Sequence, residues 1–337
     1  MDNLSNYKDE KIGKMTNVGF EAFHWHLENF LDKKPEMKKL MQSKGIIGGS
    51  AKRFQNFLTS NEEKPFIRNY YLEIFQYLSI WLEPEFYSNL PLILPYSVRE
   101  RTSSYDRLKK DKKDNWGSAN SSGYIIDDNT DIKDFIRRSE VKNSRYYYKH
   151  NPYTGFIACH LWENTAENPK LFSFIPNLVW LPTPIAGLSD KSNSLFSNLL
   201  KEISIKIYYR CEMKSDGLSK ISNEIWETLE IDQLKFKIEK IAVKKLPFSK
   251  ISLKEKRLTI IKNIEKILFF INEIKSGKIT EAPNKKLVHK RYLPTLITLI
   301  QSDPTSTNEY QKWLIEYLNA IKENMKLHTQ KELDLPT

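Results

Sequence analysis

Cysteine is scarce in this chain of 337 residues, in which Cys159 and Cys211 are the only two. Neither belongs to a Cys-x-x-Cys pair, which argues against a zinc knuckle, and so few thiols favour a reducing compartment. No apolar run approaches the roughly 20 residues that a membrane span needs, and the polar N-terminus lacks the apolar segment of a secretory signal. We therefore expect a cytoplasmic protein that does not cross a membrane.

A nucleotide-binding P-loop is also missing. The glycine-rich segment from Gly45 to Ser50 is not followed by Gly-Lys-Ser/Thr, and no predicted strand precedes it. Its glycines therefore do not indicate a phosphate cradle. Ser50 is better suited to cap the N-terminus of the next helix.

Positive charge is what the sequence has in excess. Lys and Arg number 53 against 42 Asp and Glu, a net charge of +11. Residues 235–292 alone hold 17 Lys or Arg, five Glu and no Asp, a net +12. A localised positive field favours a polyanionic partner, although a Lys-rich surface can also serve solubility alone. We expect double-stranded DNA as the partner, with RNA left open, and two-fold DNA sites would favour a homodimer.

Two segments carry the cations that would contact DNA. In residues 97–123, clustered cations and turn-forming residues surround Trp116. The cations of such a basic arm could contact DNA phosphates while the Trp116 ring stacks on a base. The alternative is a solvated loop that Trp116 anchors to the protein. The second segment is the basic stretch at 235–292. The candidate nucleic-acid-binding residues are Arg99, Arg101, Arg107, Lys109, Lys110, Lys112, Lys113, Trp116, Lys244, Lys245, Lys285, Lys286, Lys290 and Arg291.

Apolar spacing predicts mostly helices. An apolar stripe predicts a helix over 191–203, and alternation predicts a strand over 204–214. Capping boxes starting at Ser252 and Ser306 predict two C-terminal helices, the first ending before Gly277.

The stretch from Tyr153 to Asp190 carries the chemistry. Phe-Ile-Ala-Cys-His predicts a strand that ends at His160, paired in a hairpin with Tyr146–His150. A loop follows, and Asn177-Leu-Val begins a second structured piece. Phosphodiester hydrolysis needs a base, a cation that offsets the developing charge, and hydrogen bonds that orient the base. A histidine at a strand end and a metal bound nearby can supply all three.

This order of strand, His160, irregular loop and Asn177-Leu-Val resembles the HNH, or ββα-metal, nucleases. The resemblance covers about forty residues and implies that His160 activates water and that Asn177 braces the loop. It also implies a divalent metal, Mg²⁺ or Mn²⁺, bound by the residue before the histidine and by one on the following helix. Those positions are Cys159, a soft ligand that suits Mg²⁺ poorly, and Ala186, which offers no ligand. We expect Asp190, with Cys159, to bind the metal, although Asp190 would also make a good helix N-cap. Glu163 and Asn164 are further oxygen donors.

The helical spacing and the resemblance together predict an α+β, mostly helical fold in three regions. Residues 1–96 would be a helical N-terminal region, and 97–216 a small ββα-metal nuclease core with a basic insertion. Residues 217–337 would be a basic helical C-terminal domain. The implied activity is a divalent-metal-dependent DNA endonuclease, with type II restriction enzymes among the candidates.

Two alternatives stay open. Glu212-Met-Lys214, at the end of the predicted strand, resembles the PD-(D/E)xK nucleases, with Asp190 as the upstream carboxylate and a lysine that helps to activate water. Glu140-Val-Lys142 is a second copy of this pattern. The other alternative is a helical nucleic-acid-binding protein without catalysis, in which His160 is a core residue.

Overall fold

The computed structural model describes residues 18–46, 50–99, 115–136, 155–229, 231, 253–282 and 289–333. These residues form a mostly helical α+β fold with two small two-stranded sheets, which confirms the predicted fold class. None of the described helices has both the length and the apolar character needed to cross a membrane.

The elements are numbered in chain order. The helices are α1 (Val18–Lys33), α2 (Pro35–Ser43), α3 (Ala51–Thr59), α4 (Pro65–Tyr77), α5 (Pro84–Asn89), α6 (Thr130–Phe135), α7 (Pro169–Phe172), α8 (Thr183–Ala186), α9 (Leu195–Tyr208), α10 (Asp216–Glu227), α11 (Leu253–Lys275), α12 (Tyr292–Ser302) and α13 (Asn308–Leu333). The strands are β1 (Ser97–Val98), β2 (Ile125–Ile126), β3 (Phe156–His160) and β4 (Leu178–Pro182).

Aromatic side chains pack the N-terminal helices together. The rings of Phe30 on α1 and Tyr70 on α4 lie 4.8 Å apart, and Tyr71 meets Phe196 of α9 at 4.9 Å. Ser50 caps α3 as predicted, since its side chain accepts a hydrogen bond from the backbone amide at the third helical position. Helix α1 of this bundle contacts strand β4.

The C-terminal helices dock on the segment between α5 and β1. The Tyr317 hydroxyl donates to the Leu92 carbonyl at 2.7 Å and accepts from the Leu92 amide at 2.9 Å. The Trp313 ring nitrogen donates to the Pro95 carbonyl at 3.0 Å. The buried apolar side chains of the described residues therefore form one cluster that extends across the predicted boundaries at 96 and 216.

The ends of α11 and α13 agree in part with the predicted capping residues. Helix α11 ends at Lys275, and Gly277 follows with φ +71°, the left-handed conformation that a C-terminal glycine permits. Helix α13 begins at Asn308, two residues after the predicted cap at Ser306.

The predicted strand over 204–214 is wrong, because α9 continues through it to Tyr208. The apolar residues of this stretch fit both periods, and the helix that Ser194 caps persists because its buried face finds partners. The Ser204 hydroxyl donates to the Pro176 carbonyl, and the Tyr208 hydroxyl donates to the Leu82 carbonyl.

Strands β3 and β4 form an antiparallel ladder that pairs Phe156 with Pro182 and His160 with Leu178. Ile80 bridges the opposite edge of β4 at Trp180, and every residue of β4 is buried. The partner of β3 is therefore β4, and the predicted strand at 146–150 lies outside the described residues. Strands β1 and β2 pair in parallel.

Candidate active site

The β3–β4 ladder brings His160 and Asn177 to the same end of the sheet. His160 is the last residue of β3, and Asn177 directly precedes β4. Because the two strands are antiparallel, the end of one lies beside the start of the other. The loop at 161–176 leaves the sheet and returns to it at this end.

Asn177 holds that loop through its side-chain amide, which is wholly buried. Its oxygen accepts hydrogen bonds from the backbone amides of Leu161 at 3.1 Å and Trp162 at 3.0 Å. Its nitrogen donates to the Thr165 hydroxyl and to the Leu171 carbonyl, both at 2.9 Å. One side chain thus joins the start of the loop to residues 165 and 171 farther along it.

The His160 ring is fixed by a backbone carbonyl. Its Nε2 lies 2.9 Å from the carbonyl oxygen of Phe172, and the two rings stack with centroids 5.5 Å apart. A carbonyl can only accept a hydrogen bond, so Nε2 carries the hydrogen and the lone pair of the neutral ring is on Nδ1. Burial lowers the pKa of His160 to about 4, the Phe172 carbonyl opposes this shift, and Arg99 contributes to it. The ring is therefore neutral at pH 7.

A cavity of about 640 Å³ borders the histidine. Arg99, Glu163, Asn164 and Asp190 also line it, so cationic, acidic and amide groups face the same space. Arg99 follows β1, and its backbone amide donates to the carbonyl of Ala166 in the loop at 2.9 Å. The small parallel sheet thereby places a guanidinium beside the histidine.

Cys159 and Ala186, where the HNH resemblance would place metal ligands, lie close together but do not suit Mg²⁺. The sulfur of Cys159 lies 3.8 Å from the carbonyl oxygen of Ala186, so strand and helix converge where a metal would be held. Burial raises the pKa of the Cys159 thiol to about 12, with a smaller contribution from Asp190. A protonated, soft thiol and a methyl group do not form a site for a hard cation.

Asp190 is not the cap of α9, because Ser194 takes that role by accepting from the Ser197 amide at 3.1 Å. It is an exposed residue that lines the cavity. Desolvation raises the pKa of its carboxyl, and the nearby Arg99 opposes this rise. Asp190 and Glu163 can offer single carboxylate oxygens to a cation. Within the described ranges, however, the cavity does not gather three His, Cys, Asp or Glu ligand atoms within 4.8 Å of one another.

The PD-(D/E)xK alternative requires Glu212 and Lys214 to lie on a strand, and they do not. Glu212 and Lys214 are exposed residues in the connection between α9 and α10, where a strand was predicted. They do not line the cavity that holds His160 and Asp190. The second copy, at 140–142, lies outside the described residues.

The predicted DNA-binding residues fall into two groups. Arg99 lines the cavity, while Trp116 is half-buried and Lys290 and Arg291 are exposed at the start of α12. The loop that carries Trp116 contacts this helix start, because the Ala119 amide donates to the Thr295 hydroxyl at 2.7 Å. The remaining candidates lie outside the described residues: Arg101, Arg107, Lys109, Lys110, Lys112, Lys113, Lys244, Lys245, Lys285 and Lys286.

Sequence reasoning missed the groups that hold the two central side chains. Thr165, Leu171 and Phe172 act on Asn177 and His160 through a hydroxyl and two backbone carbonyls. The two backbone carbonyls leave no residue-type signal, so no motif could have named Leu171 or Phe172. The prediction also missed a cluster formed by Asp127, Asp131 and His289, because His289 lies far from the other two in the sequence.

Comparison with known proteins found no matching family model, no similar curated protein and no similar solved structure.

Proposed function

We propose that this protein is an endonuclease that hydrolyses phosphodiester bonds in double-stranded DNA, with His160 as the general base. One observation carries the proposal. His160 lies at the end of a strand, and its Nε2 donates a hydrogen bond to the Phe172 carbonyl. The residue borders a cavity and lies next to the loop that the buried Asn177 side chain holds in place. Nδ1 is then the ring atom that can take a proton from water.

The neighbouring side chains support this role. The low pKa of His160 keeps the ring neutral, which is the form that can accept a proton. Arg99, at the same cavity, can offset the charge that develops on the phosphate as water attacks. Asn177 does not meet the substrate in this scheme. It positions the histidine by holding the backbone that follows β3.

The metal ligands are the positions at which this chain departs from the family pattern. Cys159 does not suit Mg²⁺ or Mn²⁺, so the proposal removes it from the ligand set. A divalent cation bound at Asp190 would supply further charge for the phosphate, and Mg²⁺ often takes only one or two protein carboxylates alongside substrate phosphates. No step is assigned to this cation.

The charge supports a polyanionic substrate, and we propose that this substrate is DNA. The chain carries +11 overall, the segment 235–292 carries +12, and Lys290 and Arg291 are exposed at its described end. Cutting both strands of a two-fold site would bring two copies of the chain together, so a homodimer belongs to this proposal. Light scattering with and without such DNA would measure it.

Nicking of supercoiled plasmid tests the proposal. Wild-type protein with Mg²⁺ or Mn²⁺ should convert the plasmid to open-circular and linear forms. The His160→Gln variant keeps a side-chain N–H for the Phe172 carbonyl but loses the base, so the rate should fall roughly 100-fold or more. Glu212→Ala, prepared identically, controls for contaminating nucleases and for the PD-(D/E)xK alternative. Equal cleavage by wild type and His160→Gln would reject the role of His160.

A nucleic-acid-binding protein without catalysis is the second candidate. The thiol of Cys159 and the methyl group of Ala186 at the two family metal positions favour it. Salt-dependent DNA binding without cleavage under Mg²⁺, Mn²⁺ or any other divalent metal would select this candidate over the nuclease.

A further inference from the structure

A second cluster of metal-ligating side chains lies away from His160. One ligand atom each from Asp127, Asp131 and His289 lies within 4.8 Å of the other two. Asp127 directly follows β2, Asp131 lies in the first turn of α6, and His289 precedes α12. The cluster thus joins two segments that are about 160 residues apart in the chain.

The cluster is held in place by its surroundings. Asp127 is only 3% exposed, and its Oδ1 accepts a hydrogen bond from the Asn129 amide at 2.6 Å. A Cβ atom at Gly117 would lie 2.9 Å from Nδ1 of His289, so the glycine lets the backbone lie directly against the imidazole. The side-chain oxygen of Asn129 is buried and accepts no hydrogen bond from the described residues.

Asp131 can pair with a protonated His289, whereas Asp127 is almost completely removed from water. Burial raises the pKa of Asp127 to about 7, and the neighbouring carboxylates add to this rise. A buried carboxylate is strongly disfavoured without a compensating cation or donor. A bound divalent cation would compensate both carboxylates at once.

The donor types and spacing select the cation. His289 Nε2 and Asp131 Oδ2 lie 3.3 Å apart. Two ligands at about 2.0–2.1 Å from a tetrahedral zinc are separated by about 3.3–3.4 Å. An imidazole nitrogen beside carboxylate oxygens suits Zn²⁺ better than Mg²⁺, which prefers oxygen ligands alone and keeps several waters.

We propose that Asp127, Asp131 and His289 bind one Zn²⁺ ion. The ion would connect the end of β2 and the start of α6 to the segment before α12. Asn129 lines the cavity of His160, and Lys290 and Arg291 follow His289 directly. The zinc therefore fixes a basic surface segment against the wall of the candidate active site. This role is independent of whether that site cleaves DNA.

Isothermal titration of the chelator-treated full chain with Zn²⁺ tests the proposal. Wild type should bind one equivalent. His289→Gln and Asp131→Asn should each weaken that binding at least tenfold, while the exposed matched controls His24→Gln and Asp32→Asn leave it unchanged. Because other histidines and the thiols can also bind zinc, Co²⁺ should give a tetrahedral absorption spectrum in wild type and lose it in His289→Gln.

Hydrogen exchange provides a second, independent measurement. Zinc should slow amide exchange in residues 115–131 and 289–295 of wild type and of the His160→Gln variant alike, and should have no such effect in Asp131→Asn. Circular dichroism of the two cluster variants shows whether they fold. Absence of stoichiometric zinc binding to wild type, or equal binding by folded cluster variants, would overturn the site.

Discussion

Nε2 of His160 lies 2.9 Å from the carbonyl oxygen of Phe172, which belongs to the same loop that Asn177 holds. The hydrogen bond decides the tautomer of the ring, since the carbonyl accepts and the ring nitrogen must donate. It also couples the base to α7, of which Phe172 is the last residue. A change in the loop therefore changes the orientation of the histidine.

The histidine should make stability depend on pH. Burial lowers the pKa of His160 to about 4, below the value near 6.5 of an unfolded histidine. The unfolded chain therefore binds more protons between these two pH values. The contribution of His160 to the free energy of unfolding is complete above about pH 6.5 and is lost as pH falls toward 4. Its slope is at most about 1.4 kcal/mol per pH unit. Urea unfolding of wild type and His160→Gln from pH 4.5 to 7.5 should converge at the acidic end.

The exposed His24→Gln variant controls for removing a histidine elsewhere. A constant difference in unfolding free energy between wild type and His160→Gln across this range would show that His160 does not titrate inside the fold.

Loss of the Asn177 amide should destabilise the fold. In Asn177→Ala the buried Trp162 amide loses its acceptor, while the Leu161 amide keeps the Asn177 backbone carbonyl at 2.9 Å and the Leu171 carbonyl keeps the Phe174 amide at 3.2 Å. An unsatisfied buried amide costs about 1–3 kcal/mol, so we expect a loss in that range. Asn29→Ala, on the surface of α1, should change the unfolding free energy by less than about 0.5 kcal/mol. Equal small changes in both variants would contradict the bracing role.

The sequence predicted the setting of the site better than its chemistry. The strand that ends at His160 and the second structured piece that begins at Asn177 follow from apolar runs and polar breaks, which are local signals. Whether Asp190 caps a helix depends on which of several polar residues the helix start selects, and Ser194 has the required extended backbone.

Non-local contacts explain what the sequence could not predict. The alternation in 204–208 indicates a strand as well as a helix, and contacts from Ser204 and Tyr208 to distant carbonyls favour the helix. The partner of β3 was predicted upstream, whereas the described pairing is with β4, across a loop that a buried amide holds. Short-range patterns carry no information about either contact.

The docking of α13 depends on one hydroxyl. Tyr317 is wholly buried and both donates to and accepts from the backbone of Leu92. Tyr317→Phe keeps the ring but leaves two buried backbone groups without this partner, so the unfolding free energy should fall by about 1–3 kcal/mol. Tyr77→Phe removes a hydroxyl from a ring that is 56% exposed and should have little effect. Equal denaturation midpoints for the two variants would contradict this arrangement.

Cys159 should resist alkylation in the folded protein. Burial raises the pKa of its thiol to about 12, so only about one thiol in 10,000 is ionised at pH 8. Cys211 is only half-buried. Iodoacetamide at pH 8, followed by peptide mass spectrometry, should modify Cys211 first and Cys159 only after addition of denaturant. Rapid modification of Cys159 in the native protein would show that the sulfur is accessible and ionised.

Arg99 acts on two titratable groups of the cavity, His160 and Asp190, which gives a test of its position. Besides burial, its positive charge lowers the pKa of His160. It also lowers the pKa of Asp190, against the rise that desolvation causes there. Arg99→Gln should therefore raise both pKa values, and NMR titration of the imidazole and carboxyl carbons measures each. Arg210→Gln, at the exposed end of α9, is the matched control for losing one positive charge. If only one of the two groups shifted in Arg99→Gln, the guanidinium would not lie between them, and its proposed contact with the phosphate at His160 would lose its structural basis.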